Sequence, residues 1–221
     1  MSRFDKEALI WDSKPEVVQS TQAFYETLKQ RIPRLTDSNA KLTILDLGCG
    51  TGLVSQRLAE CEGVAKVVGV DTSKGMVEVF NSKAETLPHG SKMKGIVKLL
   101  EDPEDPVLDG QKFNYALMHL TLHHVPDMEP LIQTLAGTLS SGGQIILSDF
   151  ENDGDHAKLF HPESKWGDVE RHGLKRSEME DILKAAKLED IKVDHSFTLP
   201  KTVEKGGEEG FGFLLGIGTK R

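Results

Sequence analysis

The eight residues 45–52, reading Leu-Asp-Leu-Gly-Cys-Gly-Thr-Gly, constrain this chain more than any other feature. They close an apolar segment, residues 42–47, that reads as a strand. They precede a run carrying Val54, Arg57, Leu58 and Cys61 at helical spacing. A strand that bends into a helix through glycine is the setting of a nucleotide-binding turn in a parallel α/β sheet. Gly48, Gly50 and Gly52 remove side chains where backbone must approach a ligand, and glycine tolerates the positive φ such a turn needs. The spacing is GxGxG. The longer GxGxxG turn aims a helix N-terminus at a pyrophosphate, whereas here Asp46 stands at the strand's end. A carboxylate at that point repels a diphosphate and suits a cationic or amine-bearing ligand.

The rest of the chain alternates strand and helix signals, which predicts a parallel sheet flanked by helices. Ser13 and Glu16 read as a capping box for a helix with Val17, Thr21, Phe24, Leu28 and Ile32 on one face, stopped near Pro33. Residues 67–70 form a second buried strand ending at Asp71, and Ser73 caps the following helix, with Met76, Val77 and Phe80 facing inward. Residues 96–100, 113–118 and 144–148 read as further strands, with a helix opened by Asp127 between the last two. Residues 150–176 are polar, rich in His, Asp and Gly, and show no period. Ser177 and Glu180 form a second capping box, and residues 191–197 alternate as a strand. A Lys/Glu/Gly loop over 200–210 then leads to a last strand near 211–217. With no internal repeat and no linker, 221 residues read as one domain. It has an N-terminal helical cap over 1–35 and an insertion over 150–176.

Composition narrows the partners. The formal net charge is −8, from 35 Asp+Glu against 27 Lys+Arg, and no basic stripe is present to displace counterions from a phosphate backbone, so nucleic acid is disfavoured. Two cysteines without a CxxC pair, an N-terminal run too charged for a signal peptide and no membrane-length apolar stretch point to a reducing cytoplasmic or nuclear compartment and no membrane association. A monomer or a homodimer fits this composition equally well.

Four segments, LDLGCGTG (45–52), VVGVDTS (67–73), FNYALMHLTLHHVPD (113–127) and SGGQIILSDF (141–150), together resemble the successive motifs of class I S-adenosylmethionine-dependent methyltransferases. The likeness is greatest to the small-molecule branch of ubiquinone and menaquinone type, and it covers roughly residues 40–150. It implies a Rossmann-like three-layer sandwich with a seven-stranded, mostly parallel sheet of order 3-2-1-4-5-7-6, strand 7 antiparallel. It implies S-adenosylmethionine as cofactor, which carries an ammonium and a sulfonium and no phosphate, in keeping with Asp46. By the same resemblance Asp46 and Gly48 hold the methionine portion, Gly50 and Gly52 line the cofactor, and Asp71, beside Thr72, binds the ribose. Met76 packs on the adenine, Asp102 or its neighbour Glu101 lies near the adenine amino group, and His119 belongs to the same set. One departure is Asn114, where the family usually carries Asp, at a position more often structural than catalytic. Each residue also has a plainer reading: Asp71 as a helix cap, Met76 as core, Glu101 and Asp102 as a solvated loop, Cys49 as a small filler.

Methyl transfer is an in-line displacement that needs alignment, exclusion of water and, for a hydroxyl or amine acceptor, removal of a proton. His119, His123 and His124 gather just past the fourth strand, at the carboxyl edge of the sheet. His123 or His124 is the candidate general base. Packing of the imidazoles is the competing reading, and metal ligation by the HxxxH pair is disfavoured because a strand-to-loop context does not put both on one helical face. In the insertion, His156, His161, Trp166 and His172 are candidates to line an acceptor pocket, with Phe4 and Trp11 closing over it or simply anchoring the loop. The expected function is methyl transfer to an oxygen, nitrogen or carbon atom of a small molecule. A catalytically silent cofactor-binding subunit and an NAD(P)-dependent oxidoreductase are the alternatives.

Overall fold

The computed structural model describes residues 3–204 and 206–221. Met1 and Ser2 of the expected cap, and Lys205 of the expected 200–210 loop, lie outside the described residues. In chain order the elements are α1 (Arg3–Trp11), α2 (Pro15–Arg31), β1 (Leu42–Leu47), α3 (Leu53–Ala59), β2 (Val64–Asp71), α4 (Lys74–Thr86) and β3 (Met93–Val97). There follow β4 (Phe113–His119), α5 (Met128–Thr138), β5 (Leu139–Phe150), α6 (Arg176–Ala185), β6 (Glu189–Thr202) and β7 (Glu208–Thr219). The seven strands form one sheet of order β3-β2-β1-β4-β5-β7-β6, with β7 antiparallel to both its neighbours, as the resemblance implies.

The central strands are apolar on both faces because both faces are covered. Leu45, Ala116, Met118, Ile145 and Leu147 pack with Ile132 and Leu135 of α5 and Met179 and Leu183 of α6. The alternate residues Ile44, Leu117 and Ile146 pack with Phe24 and Leu28 of α2 and Val54 and Leu58 of α3. Strand β7 admits α6 closely because it carries glycine there: a Cβ on Gly216 would lie 2.6 Å from Met179 Sδ. Asn114 is structural. Its side-chain oxygen accepts the Thr43 N–H at 2.8 Å and so ties the start of β1 to β4. Among the described residues no helix is long and apolar enough to cross a membrane.

Several local expectations are corrected. Helix α2 begins at Pro15 after an uncapped Lys14, and the Ser13 hydroxyl instead donates to the Ile10 carbonyl at 2.6 Å. In α6 the box is shifted by two residues: the Glu178 carboxylate accepts the Lys175 N–H at 2.7 Å. Asp127 precedes α5 but makes no side-chain cap. Strand β3 lies three residues earlier than expected, because pairing ends with the Lys98 N–H on the Asp71 carbonyl and Leu99 and Leu100 line a crevice. The final hairpin is longer than expected, running through most of the 200–210 loop. Ser73 does cap α4, accepting the Met76 N–H at 3.3 Å.

The Phe80 ring of α4 is fully buried against three glycines, Gly52, Gly69 and Gly95. A Cβ on Gly69 would stand 2.5 Å from the Phe80 ring and 2.8 Å from Cys49 Sγ. Overpacking of this kind destabilises by about 1–3 kcal/mol. Gly69→Ala is therefore expected to lower the unfolding free energy by that amount, seen as a lower urea midpoint with an unchanged m-value. A midpoint equal to the parent's would show that the ring moves freely.

Candidate active site

The carboxyl ends of β1, β2, β4 and β5 share one edge of the sheet, where ligands of open α/β sheets bind. A cavity of about 1270 Å³ opens along it. Ligand pockets typically measure about 300–1,000 Å³, so the space is large enough for a nucleoside and a second small molecule.

At one end lies the turn after β1. Gly48 and Gly50 both take positive φ, at 73° and 53°. The Gly48 N–H donates to the Val70 carbonyl at 2.8 Å and the Gly50 N–H to Asp71 Oδ2 at 2.9 Å, so the turn is stitched to the end of β2. Nothing lies within 4 Å of a Cβ built on Gly50, which leaves bare backbone facing the cavity. Asp71 also accepts the Ser73 N–H through Oδ1 at 2.8 Å. Two backbone bonds leave its carboxylate with free lone pairs toward the cavity. Burial pushes its pKa up, against the pull of those N–H donors. Asp46 lies beneath, fully buried, with one oxygen accepting from Ser55 Oγ at 2.6 Å. Burial raises it to about 6, since the Ser55 bond and the repulsion from Asp71 are smaller effects.

Of the residues named for the cofactor, Asp46, Gly48, Gly50, Asp71, Thr72, Met76, Glu101 and His119 line this one cavity. Gly52 does not: at φ 83° it precedes α3, and a Cβ there would meet the Phe80 ring at 2.4 Å, so its role is packing. Asp102 does not either. It is exposed and accepts the Glu104 N–H in a turn, which leaves Glu101 as the member of the pair that borders the space.

The histidines converge further along. His123 is buried, and its Nδ1 faces Asp149 Oδ1 at 2.9 Å. Asp149, completely buried at the end of β5, also accepts the backbone N–H groups of His123 (3.1 Å) and Phe150 (2.9 Å). Burial alone raises such a carboxyl, but the His123 ring and these donors outweigh it and hold its pKa below the usual range. The His124 ring lies 4.0 Å from His123 between centroids, and His161 lies 5.3 Å from it. His119 stacks on Phe24 at 4.4 Å, places Nδ1 3.2 Å from Ser148 Oγ and leaves a buried Nε2 without a partner among the described residues. Burial drives the imidazoles neutral: His119 and His124 fall to about 4, and His161 to about 3. Among the described residues no group of three or more His, Cys, Asp or Glu is arranged to hold a metal ion.

Helix α1 closes one side of the cavity. Asp5 accepts from Ser73 Oγ (2.7 Å) and the Gly75 N–H (2.9 Å) at the start of α4. Glu7, in the wall, binds Arg3 (3.0 Å), Lys165 (3.1 Å) and Lys14. Burial pushes the Glu7 carboxyl up, yet bonds from the three cations overcome it and hold its pKa at about 2. Phe4, Trp11 and His161 line the cavity, whereas Trp166 and His172 do not. The Trp166 indole N–H is shared between the carbonyls of Lys158 and His161, both at 3.1 Å, and His172 sits edge-on to it, so the two brace the insertion from behind. His156 stacks on Phe211 and lies outside the lining as well.

Sequence reasoning missed Asp149, Glu7, Asp5 and Lys201. Asp149 had a readable signal, a single carboxylate ending the apolar run IILSDF at the sheet's carboxyl edge. The others did not, since their roles depend on where α1 and the last hairpin land.

A family model described as a methyltransferase domain matches residues 20–193. The chain is 29% identical over 160 residues to an uncharacterized methyltransferase of Schizosaccharomyces pombe, covering 69% of this chain and 55% of that protein. It is 32% identical over 105 residues to a ubiquinone biosynthesis O-methyltransferase of Coxiella burnetii, covering 48% and 42%. The chain thus spans about half the length of the curated relatives it matches. Among solved structures, the YcgJ protein of Bacillus subtilis superposes with a TM-score of 0.67 at 18% identity, over 89% of this chain and 98% of that one. The magnesium protoporphyrin IX methyltransferase of Synechocystis with bound SAH superposes at 0.62 and 19% identity, over 100% and 88%. These structural likenesses establish the fold.

The neutral histidines have a stability signature. An unfolded histidine binds its proton near pH 6.5, whereas these take it up only near 3–4, so acidification through that window favours the unfolded chain. Asp46, raised to about 6, acts in the opposite sense over part of the same window, which makes a differential test the informative one. His161→Gln is expected to lose less urea stability between pH 7 and pH 5 than the parent protein. Equal losses would mean that His161 is not held neutral by the fold.

Proposed function

Because the chain belongs to the methyltransferase-domain family, we propose that it transfers a methyl group from S-adenosylmethionine to a small-molecule acceptor. The observation that carries this reading is the continuity of one cavity. It joins the glycine turn and Asp71 at one end to the buried His123–Asp149 pair at the other. Bare backbone at Gly50, free acceptor capacity on Asp71 and two carboxylates without a cation beneath the turn fit a nucleoside with hydroxyls and positive charge, and disfavour a diphosphate. An acceptor crevice that is open argues against a silent subunit.

When bound, S-adenosylmethionine supplies an electrophilic methyl group on a positive sulfur. The protein's share is placement and proton removal. Gly48 and Gly50 present backbone to the ligand, Asp71 receives ribose hydroxyls, and Met76, Thr72, Leu99 and Glu101 enclose the base end. Asp149 fixes the His123 tautomer by accepting Nδ1–H, which leaves Nε2 as the basic ring atom to take the acceptor's proton. His124 donates Nδ1–H to the Asp168 carbonyl at 2.9 Å and so holds the Glu163–Asp168 turn of the insertion against the site. The insertion over 150–176 serves as the acceptor-recognition element, with α1 and α2 as the cap. Two buried, unpaired cysteines, Cys49 and Cys61, suit a reducing cytosolic setting.

Calorimetric titration of the folded protein with S-adenosylmethionine and S-adenosylhomocysteine tests the assignment. Binding of both is expected, and Asp71→Ala should weaken each by at least about tenfold, the scale of losing charge-assisted hydrogen bonds. Absence of binding to well-folded protein removes the reading. Once an acceptor is identified by release of S-adenosylhomocysteine, His123→Gln should lower kcat by about 10²-fold or more, the usual contribution of a general base. Its affinity for S-adenosylhomocysteine should stay at the parent value. An unchanged kcat would leave His123 a packing residue only.

A further inference from the structure

Past the pair Phe150–Phe213, β6 and β7 run on together beyond the carboxyl edge of the sheet, from the pair Thr198–Gly212 to the pair Thr202–Glu208. This projecting hairpin carries Lys201 into the cavity wall. The Lys201 side chain is only 17% exposed, and its Nζ lies 4.9 Å from the centre of the Phe160 ring. The nearest carboxylate oxygen is Glu16 Oε1, at 3.9 Å, too far for a hydrogen bond. No acceptor for its three N–H groups is found among the described residues, and burial lowers its pKa. Its donor capacity is therefore open to a ligand in the cavity it lines. The same lobe holds Arg3, Lys14 and Lys165 around Glu7, with Asp168 on Arg3, so that with Lys201 four cations face the three carboxylates of Glu7, Asp168 and Glu16. In a chain of net charge −8, this end of the cavity carries a surplus of positive charge, while Asp46 and Asp71 make the other end negative.

The sheet order fixes which ligand Lys201 faces. Asp71 ends β2, the turn follows β1, His123 follows β4, Asp149 is on β5, and Lys201 rises from β6 at the opposite flank. The His123–Asp149 pair stands between the nucleoside end and Lys201. Resting on the methyl-transfer reading, we infer that the acceptor is a carboxylic acid. Its carboxylate is received by Lys201, its apolar body lies against Phe160, Pro162 and Trp11, and its nucleophilic atom is turned toward His123.

Benzoate, cinnamate and decanoate, each paired with its neutral primary amide, serve as probes, titrated calorimetrically into protein saturated with S-adenosylhomocysteine. At least one acid is expected to bind about tenfold more tightly than its amide, the scale of one charge-assisted hydrogen bond. Lys201→Met should erase that preference and Lys201→Arg should retain it. Acids that bind no better than their amides, absence of binding included, overturn the inference, as does a preference that survives Lys201→Met. The competing source of a carboxylate is the methionine portion of the cofactor itself. Lys201→Met is therefore also titrated with S-adenosylhomocysteine and with 5′-methylthioadenosine, which lacks that carboxylate. Equal affinities in variant and parent are expected for both. Loss confined to S-adenosylhomocysteine would assign Lys201 to the cofactor and overturn the acceptor role. Failure of S-adenosylhomocysteine to bind the parent protein would instead remove the methyl-transfer reading beneath it.

Discussion

The tie between the glycine turn and the end of β2 sets the rest of the site. Two carbonyl and carboxylate groups at the end of one strand, Val70 O and Asp71 Oδ2, hold the N–H groups of Gly48 and Gly50 on its neighbour. A loop so held keeps positive φ at both glycines and leaves backbone exposed where a side chain would otherwise fill the crevice. The same bonds orient Asp71, because its two oxygens are committed on their inner sides to Gly50 and Ser73. The helix that follows begins at the capped Ser73, so the turn, the carboxylate and the start of α4 form one rigid unit. Asp5 then docks α1 onto this unit through Ser73 and Gly75, which makes the cap dependent on the turn.

Charge is sorted along the cavity in a way that the overall composition hides. The turn end holds Asp46 and Asp71, both raised by burial; beyond it the His119, His124 and His161 imidazoles are kept neutral by burial; the far end holds the cations around Glu7 and Lys201. Each region answers the same low dielectric differently. A carboxylate without a cation retains its proton more readily and an imidazole loses its own, whereas Asp149, with an imidazole and two backbone N–H groups on it, and Glu7, with three cations on it, are held below the usual carboxylate range.

The parts legible in the sequence were those whose cause is local. Continuous apolar runs such as residues 144–148 mark strands covered on both faces, and a Ser three residues before Met76 marks a helix start whether or not anything packs on it. The turn and Asp71 were legible because backbone geometry at a strand end dictates residue type. Boundaries failed where two local signals competed. Ser13 and Glu16 have capping-box spacing, but Pro15 fits the first turn of a helix, so the helix starts there and Ser13 is left to close α1. Residues 98–100 carry two leucines that suggest a strand, yet β2 ends at Asp71, whose carbonyl takes the Lys98 N–H at 2.9 Å as the last bond of the pair, so Leu99 and Leu100 line the crevice instead. Gly52 shows the limit of motif reasoning: it belongs to the glycine string, but the pressure on it comes from Phe80, 28 residues later in the chain.

What was illegible lies mostly at the end of the cavity away from the turn, and for one reason. The turn end is assembled from neighbouring strand termini, whose relative positions the parallel sheet fixes. That end is assembled from α1, the 150–176 insertion and the tip of the last hairpin, segments far apart in the chain that meet through side-chain contacts such as Arg3–Asp168 at 2.9 Å and Lys165–Glu7 at 3.1 Å. Exposed or half-exposed ion pairs of this kind contribute little stability, so substitution there alters the pocket without threatening the fold. The apolar pairs beneath the turn, by contrast, cannot change without moving the sheet. A fold arranged in this way keeps the turn end fixed while the opposite end of the cavity is free to vary, and the character of that end is set by residues like Lys201, which no motif would select.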